Sequence, residues 1–273
     1  MKTTFKQYLL EAEGKMPRAE SIDDLFDSIV NGKFTKDGSK LEVDTEFFLQ
    51  QLNLTSLEGS PQKIEGDFIC SGNSELTSLE GGPQEVDAFH CNQNIKLTLL
   101  IGCPQIVGSY FNCSDNKELT SIMGAPKHIY ESFYCDHNPK LESLIGAPRE
   151  VKGSFGCNST GITSLIGAPQ IIDGSLICSG NKKLTSLSKI NFYIHEINGN
   201  DYGEEIYGII PADFSGCPIK SNILGILKIR NLTSVKFDNS ELTKIMNKYL
   251  PLGNISECMD ELLDNNFEEF AKW

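Results

Sequence analysis

The sequence predicts a β-rich solenoid with a short N-terminal helical region and an α+β C-terminal cap. Six cysteines recur every 21 or 22 residues through the middle of the 273-residue chain. Each follows a large apolar residue by two positions, and an asparagine stands three positions after five of them. Such a period is typical of solenoids, whose repeats bury their apolar faces only by stacking on their neighbours. The cysteines are Cys70, Cys91, Cys113, Cys135, Cys157 and Cys178.

Four apolar columns of the repeat form the predicted core. The Phe-x-Cys motif puts two side chains on one face of a short strand, because strand side chains alternate. A β-branched residue precedes each aromatic residue, and a Leu-x-x-Leu pair follows each cysteine. The aromatic column is Phe68, Phe89, Phe111, Phe133, Phe155 and Leu176, and the β-branched column is Ile64, Val86, Val107, Ile129, Val151 and Ile172.

Two further columns of the repeat predict where the chain turns. An asparagine after the strand can hydrogen-bond neighbouring backbone, which predicts a stacked ladder of amides interrupted at Thr160. A Gly-small-Pro motif follows the leucine pair; its glycine permits a positive φ and its proline ends strand pairing. The two columns are Asn73, Asn94, Asn116, Asn138 and Asn181, and Gly59, Gly81, Gly102, Gly124, Gly146 and Gly167.

In this order the columns resemble the leucine-rich-repeat consensus L-x-x-L-x-L-x-x-N-x-L, over residues 41–190. Phe and Cys replace the two strand leucines of the consensus. The resemblance implies strands stacked side by side in a curved solenoid. The Gly-small-Pro turn departs from the helical convex side of many members of this family, so we expect extended or turn-like segments there.

The chain divides into five predicted regions. The first is a flexible N-terminal segment over 1–18, and the second is an N-terminal cap over 19–50. The third is the solenoid over 51–190, and the fourth is a connecting loop over 191–220. The last is a C-terminal cap with two helices over 221–273.

Within the C-terminal cap, helix and strand signals alternate. Residues 223–229 and 233–237 have β-like composition. Ser240 is the predicted N-cap of a helix over 241–250, which Pro251 ends. Ser256 is the predicted N-cap of a second helix that extends to residue 273.

Composition restricts the partners and the compartment of this protein. The net charge of −13 argues against binding to nucleic acid or to an anionic membrane and permits a basic partner. No apolar run reaches the length of a membrane span. Cysteines that point the same way from successive parallel rungs favour free thiols and a reducing cytoplasm. The absence of a Cys-x-x-Cys pair argues against a zinc site, and no metal or cofactor is expected.

The first dozen residues resemble the capsid-targeting peptides of internal head proteins in large contractile-tailed phages. In that family a protease cuts after a Leu/Ile-x-Glu motif, which Leu9 and Glu11 match directly before Ala12. The repeats are also similar to leucine-rich-repeat proteins of such phages. The resemblance implies a protein of the host cytoplasm or of the virion; an ordinary N-terminal helix is the alternative.

No catalytic motif is present, so the predicted functional surface is the exposed side of the Phe-x-Cys strands. Aromatic and polar side chains on a rigid face suit protein recognition, since aromatic rings supply contact area at low entropic cost. We therefore expect a non-enzymatic protein-binding module; the alternatives are a packaged or structural virion protein, an enzyme in the C-terminal region, and an ordinary solvated surface. The predicted binding residues are His90, Asn92, Tyr110, Asn112, Ser114, Tyr134, Asp136 and His137.

Overall fold

The chain winds into a parallel β-solenoid of about seven turns spaced by about 22 residues, which confirms the predicted fold class. A computed structural model describes residues 34–37, 40–43, 46–58, 60–187, 210–228 and 232–272. The predicted targeting segment, with Leu9, Glu11 and Ala12, and the first turn glycine, Gly59, lie outside the described residues.

Most turns of the solenoid contribute one short strand to each of two sheets. The first, here called the valine sheet, carries the β-branched column, and all its neighbours are parallel except the antiparallel pair β1 and β2. Its strands, in spatial order, are β1 (Phe34–Asp37), β2 (Lys40–Val43), β4 (Lys63–Ile64), β6 (Glu85–Val86), β8 (Ile106–Val107), β10 (His128–Ile129), β12 (Glu150–Val151) and β14 (Ile171–Ile172).

The second sheet, here called the phenylalanine sheet, carries the Phe-x-Cys motifs. All its strands are parallel, and each aromatic residue pairs with the aromatic or aliphatic residue of the next turn. Its strands are β3 (Phe47–Phe48), β5 (Phe68–Ile69), β7 (Phe89–His90), β9 (Phe111–Asn112), β11 (Phe133–Tyr134), β13 (Phe155–Gly156), β15 (Leu176–Ile177), β16 (Ile210–Asp213) and β17 (Leu232–Lys236).

A continuous stack of phenylalanine rings runs through the core. Successive ring centroids lie 5.3–5.8 Å apart with interplanar angles of 5–18°. Because the rings follow the strand spacing of about 4.8 Å, they stack with an offset, the geometry that aromatic pairs prefer. The stack consists of Phe47, Phe68, Phe89, Phe111, Phe133 and Phe155, all with no exposed surface.

The cysteines lie in the same core as free thiols. All nine are buried. Burial raises the pKa of the thiols of Cys70, Cys91, Cys113 and Cys135 above the ordinary range. A thiol with a raised pKa holds its proton and is a poor nucleophile. These cysteines therefore act as core residues, as the sequence predicts.

A ladder of buried asparagines joins the turns at the end of the phenylalanine sheet. Asn116 accepts a hydrogen bond from the Asn94 N–H at 2.7 Å through its Oδ1. Its Nδ2 donates to the carbonyl oxygens of Cys91 at 3.1 Å and Cys113 at 2.8 Å. One amide thus satisfies backbone groups in two turns, and Asn138 repeats the arrangement one turn later.

Thr160 interrupts the ladder because its side chain has no amide that bonds to both neighbouring turns. Its backbone N–H and its hydroxyl both lie 2.7 Å from Asn181 Oδ1. In the previous turn, the N–H of the fully buried Asn138 has no acceptor among the residues that the structure describes.

The Gly-small-Pro turns bring the backbones of neighbouring turns into contact. Gly102 has a φ of +90°, and a Cβ added there would lie 2.4 Å from the Glu80 nitrogen. A side chain at this position would collide with backbone, so only glycine fits.

The phenylalanine sheet continues beyond the repeats, where the structure differs from the predicted loop over 191–220. Ile210–Asp213 form β16, and Ala212 pairs with Leu176. Pro211 indicated a loop in the sequence, but a register shift between Ile210 and Pro211 accommodates the missing donor.

The predicted strand over 223–229 is wrong, because Ile223–Lys228 form a 3₁₀ helix. Ile223 and Ile226 are buried, as are Leu224 and Leu227. Apolar residues three positions apart lie on one side of a 3₁₀ helix, which has three residues per turn. An apolar run of this length does not distinguish such a helix from a strand.

Two helices close the C-terminal end, with N-caps that differ from those predicted. Helix α1 (Ser240–Tyr249) has Asn239 as its N-cap, and helix α2 (Ile255–Asp264) has Asn254. Helix α2 ends at Asp264, well before the predicted end at residue 273.

Helix α1 also covers the edge of the phenylalanine sheet. Asn247 Nδ2 donates to the Val235 carbonyl at 2.9 Å, and the Val235 N–H donates to Asn247 Oδ1 at 2.7 Å. A covered edge strand cannot pair with another chain.

Replacing Phe111 with alanine tests the ring stack. The change removes a fully buried ring between two others, so we expect a loss of about 3–5 kcal/mol in the free energy of unfolding. Urea denaturation measures it. A loss below about 1 kcal/mol would contradict the inward placement of this column.

The Thr160→Asn substitution should restore the ladder. The new Oδ1 can accept from the Asn138 N–H, so we expect a gain of about 1 kcal/mol in the free energy of unfolding. Thr163→Asn, at an exposed threonine of the same turn, is the matched control and should change stability by less than about 0.5 kcal/mol. If Thr160→Asn were no more stable than the wild type, the missing acceptor for the Asn138 N–H would not lower the stability of the fold.

Candidate binding surface

The outward side of the phenylalanine sheet from β3 to β15, here called the strand face, presents one column of non-repeating side chains. These residues alternate with the buried aromatic and cysteine residues along each strand. They pair in register from turn to turn, so they stand about 4.8 Å apart along the solenoid. The column is Phe48, Ile69, His90, Asn112, Tyr134, Gly156 and Ile177.

A second outward column lies just before the aromatic residues. Each residue of this column accepts a backbone hydrogen bond from the aromatic residue of the previous turn, which fixes its register. It contains Asp67, Ala88, Tyr110, Ser132, Ser154 and Ser175. Tyr110 therefore stands on the same face as Asn112, as predicted, whereas Asp67 and Ala88 were not predicted to contribute.

A third column, directly after the cysteines, is a polar ladder that joins the turns. The Asp136 N–H donates to Ser114 Oγ at 3.2 Å, and Asp136 Oδ1 accepts from the Asn158 N–H at 2.6 Å. Asn92 Oδ1 accepts from Ser71 Oγ at 2.6 Å. The predicted binding residues Asn92, Ser114 and Asp136 thus make contacts between turns that stabilise the fold.

His137 lies apart from the rest of the predicted site. Its φ is +56°, and its N–H donates to the Asn158 carbonyl at 2.7 Å in the turn that follows the strand. Its own carbonyl accepts from Lys117 Nζ at 3.2 Å. Its side chain is exposed beyond the end of the strand face.

The centre of the strand face is an aromatic cluster. The rings of His90 and Tyr110 meet edge to face, with centroids 4.8 Å apart at 85°. Ala88 lies on the same outward side and is nevertheless fully buried, so larger neighbouring side chains cover it.

Tyr134 extends the cluster across the next turn. A Cβ added to Gly156 would lie 2.7 Å from Tyr134 Cδ1 and 3.1 Å from each Asp136 carboxylate oxygen. The tyrosine ring therefore occupies the space left by the missing side chain, and the absence of a side chain at Gly156 allows this packing.

Carboxylates surround the cluster and shape its electrostatics. Burial lowers the pKa of His90 and the negative charge of Asp67 opposes that shift. Burial raises the pKa of Tyr110, and Asp67 and Glu131 raise it further. Burial also raises the pKa of Asp136. The cluster is thus a half-buried polar surface in a negative potential, and neutral His90 is favoured at pH 7.

A separate apolar surface runs along the turns. The residue before the turn glycine is apolar in four successive repeats: Ile101, Met123, Ile145 and Ile166, here called the apolar ridge, are 41–59% exposed. In the two preceding repeats the same position holds Glu58 and Glu80.

Comparisons of the chain with protein-family models, with curated proteins and with solved structures find no match. Among the described residues, no group of three or more His, Cys, Asp or Glu side chains could hold a metal ion. Within the same residues, no helix is both long and apolar enough to cross a bilayer.

The Asp67→Asn substitution should lower the pKa of His90 further. The wild-type value lies below the ordinary 6.5 because of burial, and the substitution removes the charge that opposes this effect. NMR titration of the imidazole measures the pKa. Glu131→Gln is the matched control, since Glu131 acts on Tyr110 and not on His90. An unchanged or higher His90 pKa in Asp67→Asn would contradict the placement of this carboxylate.

The same shift makes stability depend on pH. The unfolded chain takes up a proton at the ordinary histidine pKa, before the folded state does. His90 therefore contributes full stability above about pH 6.5 and progressively less as the pH falls toward its folded-state pKa.

Proposed function

We propose that this protein is a non-enzymatic module that binds a protein partner through the strand face. One observation carries the proposal: inward positions repeat the same residue types from turn to turn, whereas the outward column of the strand face changes at every turn. The outward series Ile69, His90, Asn112, Tyr134 and Gly156 combines apolar, aromatic and amide groups in fixed register. Such a mixture can contact a partner and also select it.

The backbone beneath this column is rigid, which favours recognition. The Cys91 N–H donates to the Asn112 carbonyl at 2.9 Å, and the Cys113 N–H donates to the Tyr134 carbonyl at 2.9 Å. The polar ladder holds the following positions in place. A face ordered before binding loses little conformational entropy when a partner docks.

The apolar ridge is the competing surface. Its four side chains supply apolar area but no hydrogen-bonding or charged group to fix the register of a partner. The strand face supplies apolar area and hydrogen-bonding groups within the span of three turns, so we assign binding to it.

The sequence resemblances suggest a setting for this function. The likeness of the repeats to leucine-rich repeats supports recognition by stacked strands. The likeness to phage proteins supports a phage protein that acts on a host protein in the host cytoplasm. A packaged virion protein, cleaved between Glu11 and Ala12, is the second candidate, and the resemblance of the first dozen residues favours it.

The Tyr134→Ala substitution should abolish capture of the partner while the fold persists. Tyr134 is half-buried at the centre of the strand face, and loss of a central aromatic contact costs about 2 kcal/mol or more, roughly thirtyfold in affinity. Affinity capture from cell lysate with quantitative mass spectrometry compares the variants, and thermal denaturation checks folding.

Two control variants make the result specific. Tyr130→Ala removes a 62% exposed tyrosine of the same repeat at the corner between the sheets, and it should leave capture unchanged. Met123→Ser, in the apolar ridge, should also leave capture unchanged. Loss of the partner in Met123→Ser with retention in Tyr134→Ala would move the binding surface to the ridge and overturn the assignment.

A further inference from the structure

Among the described residues of the repeats, about half of the acidic side chains pair with a lysine, whereas Asp67 and Glu131, the carboxylates beside Tyr110, do not. On other sides of the solenoid, lysines join acidic residues of neighbouring turns: Lys96 lies 2.6 Å from Glu75, and Lys140 lies 2.5 Å from Glu118. Within the described part of the chain, neither Asp67 nor Glu131 forms an ion pair with a lysine or an arginine. Within the described chain these two carboxylates are therefore not neutralised, and a cationic group of a partner can reach them.

The two carboxylates lie on either side of the Tyr110 ring along the solenoid. Asp67 stands two turns before Tyr110 in the same outward column, at a backbone distance of about 10 Å. Glu131 comes directly before Ser132, the residue of that column in the following turn. Both also raise the pKa of Tyr110 through their charges, after the larger effect of burial.

The side chains between these groups are small. Ala88 separates Asp67 from Tyr110, and Ser132 is the next residue of the column on the other side. The ring of Tyr110 is half-buried, and the ring of His90 contacts it in an edge-to-face arrangement. The part of the Tyr110 ring that remains exposed is therefore accessible to a ligand, in a negative potential.

A cationic side chain suits this site. An aromatic ring attracts a cation through its negatively charged face, and neighbouring carboxylates add to that attraction. Arginine fits best, because its planar guanidinium can stack on the ring while its N–H groups reach carboxylates. With neutral His90 favoured at pH 7, no like charge opposes it within the cluster.

We propose that the strand face binds a basic segment of its protein partner and seats an arginine side chain over Tyr110 between Asp67 and Glu131. The inference rests on the proposed function and names the partner's chemistry at the same surface. The net charge of −13 favours encounter with such a partner.

The probe is a pentapeptide, acetyl-Thr-Arg-Thr-Arg-Thr-amide, titrated into the isotopically labelled full chain at about 0.15 M salt to suppress long-range attraction. We expect saturable NMR shifts at the amides of Ala88, His90 and Tyr110. The Asp67→Asn/Glu131→Gln double variant should weaken binding about tenfold, the scale of two partly exposed ion pairs. The same peptide with citrulline, which lacks the charge, should give no saturable shift.

The matched control is the Asp260→Asn/Asp264→Asn double variant, which removes the same charge from exposed positions on α2. It should bind like the wild type. If peptide binding weakened equally in both double variants, the net charge alone would explain the effect, and the proposed site would be overturned. Absence of shifts around Tyr110 in the wild type, or equal binding of the citrulline peptide, would also overturn it.

This experiment separates the cation site from the proposed function. If the peptide fails to bind but Tyr134→Ala loses the partner, the strand face stands and its cationic preference is wrong. If the peptide binds as expected but the partner persists in Tyr134→Ala, the proposed protein-binding role of Tyr134 fails while the cation site remains.

Discussion

In-register stacking of identical backbone positions is the constraint on which the rest of this structure depends. Each turn lies on the next at the spacing of paired strands, so a buried side chain meets its own counterpart above and below. Only side chains compatible with themselves can occupy such a column. Phenylalanine meets the condition by offset stacking, with rings 5.3–5.8 Å apart along the core. Asparagine meets it because one amide carries donors and an acceptor, so it can bond to two neighbouring turns at once.

Thr160 shows what this constraint requires. Thr160 has no side-chain amide. Its backbone N–H and its hydroxyl contact Asn181 in the following turn, and the hydroxyl also lies 3.4 Å from the Cys157 carbonyl. No described hydrogen bond joins its side chain to the preceding turn. The N–H of Asn138 in the preceding turn then has no acceptor among the described residues. The solenoid tolerates such a gap because the other columns hold the two turns in register, with Phe133 still stacked on Phe155.

The sequence predicts this architecture well wherever a column repeats, and less well where a single copy must be interpreted. The core and the asparagine ladder follow directly from the period. The sequence of the 3₁₀ helix over Ile223–Lys228 resembles that of a strand, because both elements bury a short apolar run. Pro211 predicts a loop, but Ile210–Asp213 form a strand because a bulge, which the sequence does not reveal, accommodates the proline. The helix caps Asn239 and Asn254 each stand close to a serine that could serve equally well.

The sequence predicts only part of the candidate site, because it does not show which outward side chains bond to neighbouring turns. Residues next to the cysteines were expected to be exposed, but Ser114 and Asp136 bond to neighbouring turns and hold the fold. The column before the aromatic residues is equally outward by strand alternation, and from it only Tyr110 was selected. Asp67 is not recognisable from the sequence, because one aspartate in an acidic chain looks like any other. Only the structure shows whether a lysine or an arginine pairs with it.

Pairing with a lysine decides how much negative charge a carboxylate leaves on its part of the surface. Exposed ion pairs such as Glu118 with Lys140 contribute little free energy, but they neutralise the surface on which they lie. Where the same acidic residues lack a lysine, the potential stays negative and a binding partner can supply the cation. In a scaffold whose inward positions are fixed by stacking, the placement of lysines among the outward columns is free to vary. Within the described chain no lysine or arginine pairs with Asp67 or Glu131, so the strand face keeps its negative charge beside Tyr110.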